Sequence, residues 1–289
     1  MKAPAFDYVK PRALAEIFPL LQTYGDEARL LAGGQTLLAT LNMRLSEPSV
    51  LIDLSAIDEL RGISREGDTL RIGAMVTHSD IETSDLVARH APLLPLAAPH
   101  IAHRAIRNRG TLGGSIAYAD PAAEWPTCLL ALDGTVVATS ATGERRIRAD
   151  DFFVDLYTTT LLPGEIIKAC EFPVATRDHW CDFDELARRH GDYAIVGLAG
   201  AGQCSESTLM QPRLVFLGLG ATPLRAKRAE ALLNHQPLSE TLIDNAVVAL
   251  KAELTAVGDL TSDSATKMHL AGVLLKRMLM KLMQSKSAR

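Results

Sequence analysis

Two short glycine segments hold the main chemical potential of this chain: Ala32-Gly33-Gly34-Gln35-Thr36 and Thr111-Leu112-Gly113-Gly114-Ser115. Glycine accepts positive φ and has no Cβ to block a close approach, so consecutive backbone N–H groups in such a segment can converge on one anion. That concavity suits a diphosphate. In the first segment Leu31 closes an apolar run that reads as a strand, and Leu37 opens one that reads as a helix, so a helix N-terminus would add positive character. In the second, Thr111 and Ser115 supply hydroxyls on either side of the glycines. One Gly-Gly pair alone reads as a tight turn; two similar segments, each flanked by apolar stretches, read as two faces of one ligand site.

Other chemistries find less support. His100 and His103 stand one helical turn apart ahead of Arg104, Arg107 and Arg109, but no third ligand stands at matching spacing for a metal. The arginines read as ion-pair partners or as a surface facing another subunit, with direct phosphate contact as the lesser alternative. Cys128, Cys170, Cys181 and Cys204 lie far apart with no Cys-x-x-Cys pair, which gives neither a metal nor a disulfide signature, and they read as free core thiols. Gly218-Leu219-Gly220 follows an apolar strand but lacks the third glycine of a dinucleotide fingerprint, and Pro223 stands where the helix should begin. No nucleophile elbow, His-Glu-x-x-His or lysine-bearing phosphate loop is present.

The formal net charge of -4 leaves no basic field for a nucleic-acid backbone, so nucleic acid is not an expected partner. No uncharged run reaches the ~18 residues of a membrane span, and the stretch from Met1 to Tyr8 lacks a signal peptide's apolar core. The expectation is a cytoplasmic protein.

The elements that must position the glycines fall into three textures, and 289 residues suffice for two or three domains. Residues 1–55 read as a small α/β unit in the order helix, strand, loop, helix, strand, with Leu14, Ile17, Phe18 and Leu21 at amphipathic spacing and Val50 to Leu54 as a buried parallel strand. Residues 56–177 shift to short alternating strands. There Ser79-x-x-Glu82 reads as a capping box, and one helix is expected from Leu96 to about Arg107, running into the second glycine loop. In residues 178–289, two strands near Tyr193 and Arg213 precede three helices, Leu224 to Leu233, Leu238 to Leu254 and Ala265 to Met283; the methionine stripe of the last reads as core packing.

Together Leu31 to Leu38, Ile72-Gly73-Ala74, Ile106 to Ser115 and Asp192-Tyr193-Ala194-Ile195-Val196 resemble the FAD-binding medium subunits of molybdenum hydroxylases, the family of the carbon monoxide dehydrogenase flavoprotein subunit and the xanthine dehydrogenase flavin domain. The likeness runs from about Phe6 into the C-terminal helix. It implies an α+β protein of the p-cresol methylhydroxylase type: two FAD-binding α/β subdomains, then a C-terminal domain of a three-stranded sheet with helices.

By the same resemblance, FAD is bound non-covalently, its pyrophosphate held mostly by backbone N–H groups of Leu31, Ala32, Gly33, Gly34, Gln35, Thr36 and Leu37 and of Thr111, Gly113, Gly114 and Ser115. Asp120 or Glu124 would accept from hydroxyls of the cofactor, Ile166 or Ile167 would pack on its ring system, and Tyr193 would sit close to the isoalloxazine. The likeness further implies a molybdenum-cofactor large subunit that hydroxylates the substrate and a small subunit with two [2Fe-2S] clusters, assembled as a dimer of heterotrimers. Four scattered cysteines cannot supply the eight sulfur ligands of two such clusters, so these belong to another chain. No catalytic acid or base is expected on this one.

Overall fold

The computed structural model describes residues 2–287. It opens on a strand that the sequence periodicity does not reveal, β1 (Asp7–Val9), followed by the helix Leu14–Tyr24, β2 (Ala28–Leu31), the helix Leu37–Asn42 and β3 (Val50–Asp53). β3 lies between β1 and β2 and runs parallel to both, with Val50 aligned to Asp7 on one side and Ala28 on the other. A central parallel strand is covered on both faces, which is why an unbroken apolar run fits there and why all four of its residues are buried. Ile17 packs with Val50, Ile52, Leu54, Ile57 and Leu60 in the core of this unit.

The next stretch supplies β4 (Ile63–Glu66), β5 (Thr69–Gly73), β6 (Thr135–Ser140), β7 (Gly143–Arg148), a small hairpin of β8 (Phe153–Asp155) and β9 (Thr158–Thr159), and β10 (Ile166–Pro173). Five of these strands form an antiparallel sheet in the order β4-β5-β10-β6-β7. Trp125, Phe152 and Phe172 are the largest fully buried side chains of the core built on it.

Two helical expectations change here. The helix expected from Leu96 to Arg107 is broken into Leu93–Ala97, a 3-10 turn Ala98–His100, and Arg104–Arg107. Pro99 removes a donor, and Ala102 takes a φ of 42°. The buried guanidinium of Arg107 compensates by donating to the carbonyls of Ile101 and Ala102 at 3.2 and 3.1 Å while pairing with Glu82 at 2.9 Å. His100 and His103 therefore share no helix. The capping box is formed by Thr77 and Asp80 instead of Ser79 and Glu82. The Ser79 hydroxyl donates to Asn108, and Glu82 is taken by Arg107.

The C-terminal part is a meander of three long antiparallel strands, β11 (His179–Ala187), β12 (Ala194–Ser205) and β13 (Thr208–Leu217). Two-residue strands β14 (Leu224–Arg225) and β15 (Gln236–Pro237) both pair with β13. β14 takes the residues expected to open a helix, which starts instead at Lys227. The helices Glu240–Glu253 and Ser264–Ser287 follow. The last buries Leu274, Leu275, Met278 and Leu279 in a core with strand residues Val196, Leu198 and Phe216, so its methionine stripe is packing. Among the described residues the cysteines form no disulfide; Cys181 is half-buried and the other three are buried.

Candidate functional site

The first glycine segment links the end of β2 to the helix Leu37–Asn42, and residues 31–37 are all half-buried. Gly34 adopts a φ of 72°, a conformation that costs an L-residue roughly 1–2 kcal/mol. The Gln35 amide group donates to the Gly33 carbonyl at 3.0 Å and the Leu38 N–H to the Gly34 carbonyl at 3.1 Å, which fixes the turn. Among the described residues, the backbone N–H groups of Gly33, Gly34, Gln35 and Thr36 have no acceptor. Unpaired amides in a row at a helix start are what an anion requires.

The second segment is no loop. Thr111 is the N-cap of the helix Leu112–Tyr118, its hydroxyl accepting from the Gly114 N–H at 3.2 Å, and Gly113 and Gly114 lie in the first turn. Its other amides are also engaged: Leu112 donates to Val76 at 3.0 Å, Gly113 to Ala74 at 2.8 Å and Ser115 to Thr111 at 3.1 Å. A Cβ on Gly113 would stand 2.4 Å from the Ala74 Cβ, so this glycine serves the close passage of the chain beyond β5.

The two segments, borne on different sheets, abut. A Cβ on Gly33 would stand 2.1 Å from the Arg109 carbonyl oxygen and 2.8 Å from the Gly110 Cα, and one on Gly114 would lie 3.6 Å from the Ala32 Cβ. Beneath this junction the His78 N–H donates to the Gly110 carbonyl at 2.9 Å, and the buried Trp125 indole N–H donates to His78 Nδ1 at 2.8 Å. Burial first, and then the Arg107 charge, push the His78 imidazole down to about 4. It is therefore the neutral ring that accepts from Trp125.

Acids and phenols gather beside the junction. Asp120 accepts from the Ala122 N–H at 2.9 Å, and burial raises its carboxyl. Glu124 opens the helix Glu124–Ala131; burial, then the charges of Glu185 and Asp120, push it up to about 8. Tyr193, just before β12, is 70% exposed, yet its phenol is raised by desolvation and then by Asp120, Tyr118, Tyr157 and Glu124. The rings of Tyr118 and Tyr157 lie 5.0 Å apart. The Gly218 N–H donates to the Pro121 carbonyl at 2.9 Å, so the decoy glycines of the sequence bind β13 to this corner.

Ile166 and Ile167 are core residues. On β10, Ile166 is buried in the core around Ile17 and Val50, and Ile167 in the core around Trp125. Neither offers more than a sliver of surface to a ring. Glu185, which the sequence reading passes over, joins the acids from β11; a lone glutamate in a half-buried strand carries no local signal that would single it out. Among the described residues no group of three or more His, Cys, Asp or Glu could hold a metal ion, and no helix is long and apolar enough to cross a membrane.

Comparison with known proteins agrees with this geometry. Residues 4–175 match the family model of the FAD binding domain in molybdopterin dehydrogenase, and residues 182–282 that of the CO dehydrogenase flavoprotein C-terminal domain. The chain is 42% identical over 245 residues to the 6-hydroxypseudooxynicotine dehydrogenase complex subunit alpha of Paenarthrobacter nicotinovorans, covering 83% of this chain and 81% of that one. It is 39% identical to the nicotine 6-hydroxylase medium subunit of the same organism, covering 96% and 97%. A chain of the solved carbon monoxide dehydrogenase of Hydrogenophaga pseudoflava superposes with a TM-score of 0.95 at 35% identity over 99% of both chains, so the expected α+β fold of the flavin subunits is the fold observed. The chain belongs to the FAD-binding medium subunits of the molybdenum hydroxylases.

Proposed function

We propose that this subunit takes electrons from the [2Fe-2S] clusters of a small partner subunit and passes them to an external acceptor, within a dimer of heterotrimers that includes a molybdenum-cofactor large subunit. The carrying observation is the junction of Gly33 with the main chain at Arg109 and Gly110, which brings two glycine segments from separate sheets to one place. The residues fit FAD. Four open amides at Gly33, Gly34, Gln35 and Thr36 suit a pyrophosphate, and the helix behind them adds its dipole. FAD, when bound, supplies the redox chemistry, while the protein's part is binding, orientation and electrostatics.

In this reading Leu31 to Leu37 cradle the pyrophosphate, and Thr111, Gly113, Gly114 and Ser115 close it from the other side. The Ser115 side chain contributes its hydroxyl, since the amides of that turn are engaged within the fold. Asp120 or Glu124 accepts from cofactor hydroxyls, and Tyr193 covers the ring system; Ile166 or Ile167 would act only through the walls that they build. Residues 1–55 and 56–177 are the two FAD-binding subdomains and 178–289 the C-terminal flavoprotein domain, acting in the cytoplasm.

Co-purification of the tagged chain from its host, with metal and flavin analysis, tests this reading. About one molybdenum and four irons per flavin are expected, since each [2Fe-2S] cluster carries two irons. A chain that carries flavin alone and is bleached directly by an organic substrate would overturn it.

A further inference from the structure

Two stretches remote in sequence meet beside Tyr193. The link between β11 and β12, Arg188-Arg189-His190-Gly191-Asp192-Tyr193, is a tight turn in which the Asp192 N–H donates to the Arg189 carbonyl at 3.2 Å. It lies directly on the residue before the helix Arg104–Arg107: a Cβ on Gly191 would stand 2.3 Å from His103 Cε1, and the His103 and His190 rings are 6.3 Å apart. That contact joins Arg188 and Arg189 to the stretch that bears Arg104 and Arg109, and all four of these arginines are exposed. The carbonyl of Arg109 is the one that abuts Gly33, so the surface borders the glycine junction.

Their charge is left unmatched. Elsewhere arginines are held by acids: Arg213 and Arg225 by Asp150, Arg71 and Arg146 by Glu171, and Arg145 by Glu165. Here Glu82 is taken by the buried Arg107 at 2.9 Å and reaches Arg104 only at 3.9 Å, while Asp80 is engaged in the cap with Thr77. Among the described residues the side chains of Arg109, Arg188 and Arg189 have no ion-pair or hydrogen-bond partner. Residues 99–110 include no acid, and residues 188–193 include only Asp192. In a chain of net charge -4, this corner carries a local positive field. Tyr193, 70% exposed, ends the same turn, which gives an aromatic ring a basic rim. Small-molecule sites are concave and enclosing. Exposed arginines borne on two turns suit instead the charged face of a macromolecule in a brief, electrostatically steered encounter.

We propose that Arg104, Arg109, Arg188 and Arg189 around Tyr193 form the docking surface for an acidic electron-carrier protein, the external acceptor of this subunit. The inference rests on FAD lying beside Tyr193, as proposed above. The docked carrier is reduced as the reduced flavin is oxidised; a carrier of one electron docks twice for each two-electron-reduced flavin, and the flavin's protons leave to solvent. The arginines form no covalent bond in this exchange. They steer the partner and hold it.

The test takes the assembled, FAD-loaded complex, reduces it with dithionite, removes the excess, and mixes it in stopped flow with cytochrome c in two forms. Unmodified cytochrome c is basic; the succinylated form carries acids in place of its lysines around the same haem. The succinylated form is expected to reoxidise the flavin about tenfold or more faster than the basic form at about 10 mM salt, and to lose most of that lead at about 150 mM. The double variant Arg188→Gln, Arg189→Gln is expected to lose most of the lead at low salt while keeping the wild-type rate with neutral benzoquinone. Should the double variant not fold, Arg104→Gln, on the other stretch, is read in the same way. An unchanged lead in a variant that holds FAD would overturn the inference, and so would equal slowing with benzoquinone or release of the small subunit. Slower reduction of NAD with unchanged cytochrome rates would assign the arginines to a dinucleotide and overturn it too. A wild-type complex without flavin would sink the proposed function instead.

Discussion

Gly33 lies so close to the chain at Arg109 that a Cβ placed on it would stand 2.1 Å from the Arg109 carbonyl oxygen. The obstacle is backbone on both sides, so neither partner yields by a rotamer change. Gly33→Ala is expected to push the two segments apart, with loss of FAD and about 1–3 kcal/mol of stability. Flavin content per chain and a denaturant titration check this. Gly34→Ala is the control: its nearest neighbours are the side chains of Leu31 and Leu38 at 3.2 Å, which must give by a few tenths of an ångström but are not backbone, and the strain of a φ of 72° adds to that.

Gly113→Val tests the other half. Its Cβ would meet Ala74 Cβ at 2.4 Å and Ala74 Cα at 2.8 Å. The variant is expected to lose thermal stability even without flavin, which separates a fault in the scaffold from a fault in ligand contact. An apo-protein melt unchanged from wild type would contradict the packing described.

Trp125→Phe removes the donor to His78 Nδ1 and leaves that nitrogen buried without a partner. The expected cost is about 1–3 kcal/mol, read by chemical denaturation.

Two groups give the stability opposite pH dependence. His78 titrates near 4 in the folded chain against 6.5 when free, so the unfolded chain binds the proton first, and stability falls as pH drops from about 6.5 towards 4, by on the order of 3 kcal/mol. His78→Gln should flatten that limb. Glu124 is raised from 4.5 to about 8, so its contribution is complete below 4.5 and is lost as pH rises towards 8. Glu124→Gln should remove that loss, as followed in denaturant midpoints of the apo-protein.

Amide hydrogen exchange of the flavin-free chain should separate the two segments. The N–H groups of Gly33 to Thr36 have no acceptor among the described residues and are expected to exchange fast; those of Leu112 to Ser115 are all bonded and are expected to be protected. Equal rates in the two segments would argue against this difference.

The sequence discloses one of these segments better than the other. Leu31 closing a strand and Leu37 opening a helix around Gly33-Gly34 are local signals, and the chain obeys them. Thr111-Leu112-Gly113-Gly114 looks the same locally, but its glycines are helical, because the carbonyls of Ala74 and Val76 take the amides that a loop would have left open. Nothing near residue 113 announces Ala74. The same holds for the helix broken after His100, where a distant guanidinium, Arg107, satisfies the freed carbonyls. Ser79 and Glu82 fit a capping box by spacing, yet tertiary partners claim both. Glu185 carries no local signal for a related reason: the side chain it meets, His100, is distant in sequence.

The bonded turn at Thr111 also implies an order of events. Its shape is set by Ala74, Val76 and its own hydroxyl, and so exists before any ligand arrives. The segment from Gly33 to Thr36 has only its Gln35 tether and the Leu38 amide to hold it. In the proposed site, docking should thus proceed from a finished wall to an unfinished one, with the incoming pyrophosphate as the last piece of the turn after β2.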